Sequence, residues 1–246
     1  MKKISVEHYT QLAEREVWNE MIAKENIAMN RSDLSEIQQV MNVMMHRIKF
    51  NLQYIYNALQ QYDFKFSDFA ESSEQTTPLV FEQNDITRQL FTLEEKYAEY
   101  GFFPLTMLEL YKHIQQVDFR GFFPTRKCNV FLDALMIVPV RELIAHDGYH
   151  EGYGVYIAPE AGFKENVSSN GVYGIELTAN QQIDSKFQGF FDDPDAEQPE
   201  EILLLDYLRL CFKWAGFPGL EFANRNEVDD YIWDVVSNIV PYLKPI

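Results

Sequence analysis

Between residues 34 and 59, apolar side chains recur every three or four positions: Leu34, Ile37, Met41, Met44, Ile48, Leu52, Ile55 and Leu59. That spacing puts all of them on one stripe of a long helix. Asp33 and Glu36 stand at the N-cap and N3 spacing of a capping box, so the helix is expected to start there. Met41, Met44 and Met45 admit two readings, an adaptable partner groove or ordinary core, and helical spacing favours core. Upstream, Val6, Tyr9, Leu12, Ala13, Val17, Met21 and Ile22 predict a further helix from Val6 to about Ala23.

From Phe64 to Leu79 the period is lost, and Glu71-Ser72-Ser73-Glu74-Gln75-Thr76-Thr77-Pro78 reads as an exposed loop. The pattern therefore divides the chain into an all-helical N-terminal region, 1–80, and a second domain, 81–246. In the latter, a helix is expected from Asn84-Asp85 through Leu90, Leu93 and Tyr97 to Gly101, and another behind Pro104 with Leu105, Leu108 and Tyr111. After Gly121 the period changes. Residues 130–138 read as one or two largely buried strands ended by Pro139, and Tyr153–Ala158 and Val172–Leu177 as two more, antiparallel because no helix separates them. Asp192 to Glu201 is expected to be a loop, with Pro199 and the two glutamates opening a helix that buries Ile202, Leu205, Leu208, Cys211 and Phe212. A last helix runs from about Asn226, with Asp229 at N3, to Pro241.

Charge alters this picture more than bulk composition does. An aromatic content of 15% favours a packed interior over disorder. Asp and Glu number 38 against 21 Lys and Arg, a formal charge of −17. Such a field repels phosphate backbones and anionic membranes and speeds the approach of a basic protein, so no nucleic-acid or membrane binding is expected. Cys128 and Cys211 have no metal-ligand or disulfide spacing and suit a reducing cytoplasm. Met1-Lys2-Lys3 turns polar before any apolar run, so no secretory signal is expected, and the most apolar stretch, Ala134 to Val140, is far short of the ~20 residues of a membrane helix.

Candidate chemistry is sparse. His146, Asp147, His150 and Glu151 bring two imidazoles and two carboxylates together in sequence, a set suited to proton exchange or a metal. Ligands four apart share a face only on a helix, and Gly148, Gly152 and Gly154 predict a turn instead, so neither metal nor cofactor is expected. These glycines precede a strand rather than a helix, the wrong order for cradling phosphate. No Gly-x-Ser-x-Gly elbow, Gly-Lys-Ser/Thr loop or His-Glu-x-x-His occurs. Asp192, Asp193, Asp195, Glu197, Glu200 and Glu201 form either a solvated connection or a patch offered to a basic partner. Asp118-Phe119-Arg120-Gly121-Phe122-Phe123-Pro124 reads either as an exposed aromatic contact or, the favoured reading, as aromatics closing a core beneath a turn.

Leu93-Glu94-Glu95-Lys96-Tyr97 followed by Phe103-Pro104-Leu105-Thr106-Met107-Leu108-Glu109-Leu110-Tyr111 resembles the helix pair of the SUKH superfamily, which includes bacterial toxin-immunity proteins and a yeast cell-wall regulator. Asp133 to Leu143 is similar to that family's buried strand and short helix, and Leu204 to Arg209 to its late helix. The resemblance, over about residues 85–220, implies an α+β fold with a mixed or antiparallel central sheet flanked by helices, no catalysis, and function by binding a protein. In immunity members that partner is a toxin, often a nuclease, and the charge of −17 would suit a basic one. Two other readings stand beside it: a scaffold or regulator binding through the N-terminal helices, and an enzyme centred on His146 to Glu151.

Overall fold

The computed structural model describes residues 5–11, 14–25, 31–66, 77–81, 84–124, 126, 128, 132–145, 149–150, 154–158, 173–189 and 200–246. Helices α1 (Val6–Gln11) and α2 (Glu14–Glu25) occupy the stretch expected to be one helix. Helix α3 (Arg31–Gln61) contains neither Gly nor Pro, and its Ile37, Met41, Met44, Met45, Ile48, Leu52, Ile55 and Leu59 are all fully buried. The methionines are therefore core. The helix begins at Arg31, so Asp33 and Glu36 lie inside its first two turns and not at the expected cap.

Its end is set by backbone chemistry. Asp63 adopts a left-handed conformation (φ 59°), Phe64 N–H donates to the Leu59 carbonyl (3.0 Å), and Asp63 N–H donates to that of Gln60 (3.3 Å). Those are the paired bonds of a Schellman motif, with Leu59 and Phe64, the two residues joined by the longer bond, both buried. The chain turns sharply into strand β1 (Lys65–Phe66).

Helices α4 (Ile86–Tyr97) and α5 (Leu105–His113) form where the pattern placed them. Lys96 Nζ donates to the carbonyls of Leu143 (3.1 Å) and Ile144 (3.0 Å), and Tyr97 hydroxyl to that of Leu143 (3.1 Å). They satisfy the C-terminal carbonyls of the short helix α6 (Val140–Ala145). Helix α7 is Leu204–Lys213 and α8 is Asp230–Ile239, the latter capped by Asp229, whose carboxylate accepts from Tyr231 N–H (2.9 Å). Asp229 is thus the N-cap and not N3; the expected start at Asn226 falls in a 3-10 turn, Arg225–Glu227.

The strands form three antiparallel sheets among the described residues. Strand β1 pairs with β4 (Gly121–Phe122); β2 (Leu79–Val80), β3 (Gln116–Asp118) and β5 (Met136–Ile137) make a second sheet in that order. The largest is a five-stranded meander, β10-β9-β8-β7-β6, built from Glu200–Leu203, Lys186–Gly189, Tyr173–Ile175, Gly154–Ala158 and Tyr149–His150. The fold is α+β.

Two expectations need correction. Of the apolar run 130–138, residues 132–138 are described, and among them a strand forms only at Met136–Ile137. Within it Asp133 is buried and left-handed (φ 49°), with Tyr173 hydroxyl donating to its carboxylate at 2.8 Å, so the chain makes loop bonds such as Leu135 N–H to the Gly216 carbonyl (2.9 Å). Likewise Glu200 to Leu203 is strand β10, paired residue for residue with β9, and the helix starts only at Leu204. Cross-strand pairing outweighs the helix-start signal of Pro199 and the glutamates.

The α3 stripe lies in one buried cluster with Leu110, Tyr111, Phe119, Phe217, Leu220, Ile232 and Val236, so residues 1–80 and 81–246 share a core. No helix among the described residues is long and apolar enough to cross a membrane.

Candidate functional site

Four elements converge where α3 ends. The Schellman turn presents Tyr62 and Asp63, β1 presents Lys65, the chain leaving β4 presents Phe123, Pro124 and Arg126, and the first turn of α8 presents Tyr231. Together they line an open cleft of about 270 Å³.

Local chemistry explains each placement. Strand β4 lies against β1 because position 121 is glycine: a Cβ there would overlap the Lys65 carbonyl and the Phe64 ring. The turn before it is held by a two-pronged ion pair, Arg120 Nε to Asp118 Oδ1 (2.9 Å) and Nη2 to Oδ2 (2.7 Å). Phe119 and Phe123 therefore enter the core, while Phe122 stays 59% exposed beside the cleft. The favoured reading of that aromatic segment thus holds for two of its three phenylalanines.

Tyr231 is the centre of the wall. Its hydroxyl donates to the Tyr62 carbonyl (3.1 Å), its ring meets those of Tyr62 and Phe123 edge-on (6.5 and 6.1 Å), and the Arg126 guanidinium lies over it at 4.2 Å. Arg126 also approaches Asp229 (3.9 Å), and Lys65 approaches Asp63 (3.9 Å). Rings, two cations, the exposed Asp63 carboxylate and the partly buried Asp229 carboxylate suit recognition of a side chain that is flat or apolar along its length and polar at its tip.

The residues expected from sequence fare differently. Asp192, Asp193, Asp195, Glu197, His146, Asp147 and Glu151 lie outside the described residues. Glu200 opens β10 opposite Gly189; Glu201 faces Gln188 across the ladder, accepts from its Nε2 (3.0 Å) and pairs with Lys186 Nζ (2.8 Å). His150 is in β6, opposite Gly154, and not in a turn. Strands β10 and β6 are the two edges of the five-stranded sheet, about 19 Å apart at four strand spacings, so His150 and the Glu200–Glu201 pair do not form one site. No group of three or more potential metal ligands occurs among the described residues.

Tyr62, Asp63, Lys65, Arg126 and Tyr231 were not legible as a site, being scattered over 170 residues of sequence. The one local signal was the Phe122-Phe123-Pro124 segment.

Two further polar groups away from the cleft are perturbed by their surroundings. Burial and the nearby Asp133 carboxylate raise the Tyr207 hydroxyl well above its ordinary range. The His113 imidazole is pushed below its ordinary value by burial and by His46, whose ring lies 5.0 Å away.

Comparison with protein-family models, curated proteins and solved structures gives no match.

Proposed function

We propose that this protein acts by binding another protein, with the Tyr62–Tyr231 cleft and the adjoining Phe122 as its contact surface. The observation that carries this reading is the composition of that surface: tyrosine, phenylalanine and arginine around an open depression, the residue types that dominate interface energetics. The overall charge of −17 favours a basic partner. A SUKH-like immunity protein that neutralises a basic, nuclease-like toxin fits both features and remains the specific form of the proposal.

The test is recovery of partners from the native host at low and high salt, followed by affinity measurement with Arg126→Ala and Phe122→Ala. Both side chains are substantially exposed, so stability should stay within about 0.5 kcal/mol of the parent. Each variant is expected to weaken binding about tenfold or more, and binding should weaken with salt. Unchanged affinity in both variants would remove the cleft from the interface.

A second surface supports the scaffold reading. Phe50 on α3 is 40% exposed and Tyr242 64% exposed, with the Tyr54 ring stacked on Phe50 (6.2 Å) and tilted against Tyr242 (5.6 Å). Phe50→Ala separates the two readings, since it should weaken the partner only if the N-terminal helices bind it.

A further inference from the structure

His46, at an exposed position on α3, and His113, the last residue of α5, meet where these two helices pack. Their ring centres are 5.0 Å apart and their planes inclined at 65°. Hydrogen bonding sets the roles of the nitrogens. His46 Nδ1 stands 2.7 Å from the Asn42 carbonyl, and since a carbonyl only accepts, Nδ1 carries the proton and donates. In the neutral ring Nε2 then keeps its lone pair. His113 is half-buried, and among the described residues no hydrogen bond engages either of its nitrogens.

This pairing has the dimensions of a shared metal ion. Two imidazoles bound to one tetrahedral ion, each nitrogen about 2.1 Å from it, have ring centres about 5 Å apart, and that is the separation found. A metal-bound imidazole ordinarily donates its second N–H to a carboxylate or a backbone carbonyl, as His46 does to Asn42, which fixes the tautomer and the ring orientation. His113 also stands at the C-terminus of α5, the negative end of a helix dipole. Glu109, one turn earlier on the same face, brings a carboxylate that favours positive charge at His113. The two nearby ammonium groups have other partners: Lys112 Nζ meets Glu109 Oε1 (2.6 Å), and Lys49 Nζ lies over the Phe81 ring (5.0 Å).

We propose that His46 and His113 form a two-imidazole site for a divalent transition-metal ion of the zinc type, bridging α3 and α5, with water filling the remaining positions. Imidazole nitrogen selects zinc, copper or nickel over magnesium and calcium, which take oxygen ligands. The pair lies about 24 Å along α3 from Tyr62, so the inference is independent of the cleft and of its partner.

The experiment titrates the full chain with Zn2+ and, separately, with Mg2+ in a calorimeter at neutral pH. Saturable uptake of one Zn2+ per chain is expected, with no uptake of Mg2+ at the same concentration. His46→Gln and His113→Gln should each weaken zinc binding about a hundredfold or more, at least the loss that follows removal of an outer-shell partner. Circular dichroism reports whether each variant folds. His46 is exposed, so His46→Gln decides alone if the half-buried His113 does not tolerate replacement. Zn2+ should also raise the urea midpoint of the parent and leave that of His46→Gln unchanged, because an ion held only by the folded chain stabilises it. The remaining histidines, His8, His146 and His150, serve as the control, and replacing all three by Gln should leave zinc affinity at the parental value. No saturable uptake by the parent overturns the proposal, as does uptake that survives His46→Gln or is lost only with the other three.

Discussion

Asp184 joins two helix starts. The carbonyls of Gln182 and Ile183 accept from Leu105 and Thr106 N–H at the head of α5 (2.8 Å each), and the Asp184 carboxylate accepts from Ser185 (3.0 Å) and from Leu205 N–H in the first turn of α7 (3.2 Å). Burial outweighs these donors and raises its pKa from 3.8 to about 7. A raised carboxylate pKa means that the folded state holds its proton more tightly than the unfolded chain. This contribution to stability is therefore complete below about pH 4 and is lost as pH rises through about 7. Asp184→Asn cannot titrate and retains one acceptor for the two N–H groups. Urea unfolding between pH 4 and 8 should show the parent's stability advantage over this variant shrinking as pH rises; a constant difference would place the carboxyl's pKa near its ordinary value. A second residue-scale prediction concerns Gly154, whose φ of 81° and close approach to the Ile175 carbonyl leave no room for a Cβ. Gly154→Ala should cost about 2 kcal/mol or more, read as a lower urea midpoint.

Elements differ in how far the sequence announces them. Helices α3, α4 and α5 were legible because a 3.6-residue period needs only local information, and α3 repeats it over eight buried positions. Strands β2, β3 and β9 were not: each spans two to four residues and exists because a distant segment supplies the other half of its ladder. Asp133 shows the same limit within an apolar run, since its tyrosine partner lies 40 residues away. The cleft shares that difficulty. Phe122 and Phe123 stood out locally, but nothing near Tyr62 in sequence names Arg126 or Tyr231, which arrive through the β1–β4 pairing and the register of α8.

At the scale of the molecule, the shared core makes the N-terminal helices integral to stability. Tyr231 hydroxyl reaches Tyr62, and Asn51 binds Lys244, so contacts cross the chain at both ends of α3's second half. Leu52→Ala, which opens a hole in the centre of the stripe, should cost about 2–5 kcal/mol. Because the core is continuous, far-ultraviolet and near-ultraviolet circular dichroism should report one coincident transition in parent and variant alike. Separate transitions, with only one displaced by the substitution, would mean that 1–80 and 81–246 unfold independently.

The length of α3 has a mechanical consequence. Thirty-one residues make a rod of about 46 Å with no internal Gly or Pro at which to hinge. Arg47 and Asn51 ride partway along it, and Tyr62 stands just past its tip, about 16 Å beyond Asn51 along the axis. A stiff rod passes a small tilt along its length undiminished, where a jointed one would absorb it. A displacement of the rod near Asn51 is therefore carried to its far end, which forms one wall of the cleft.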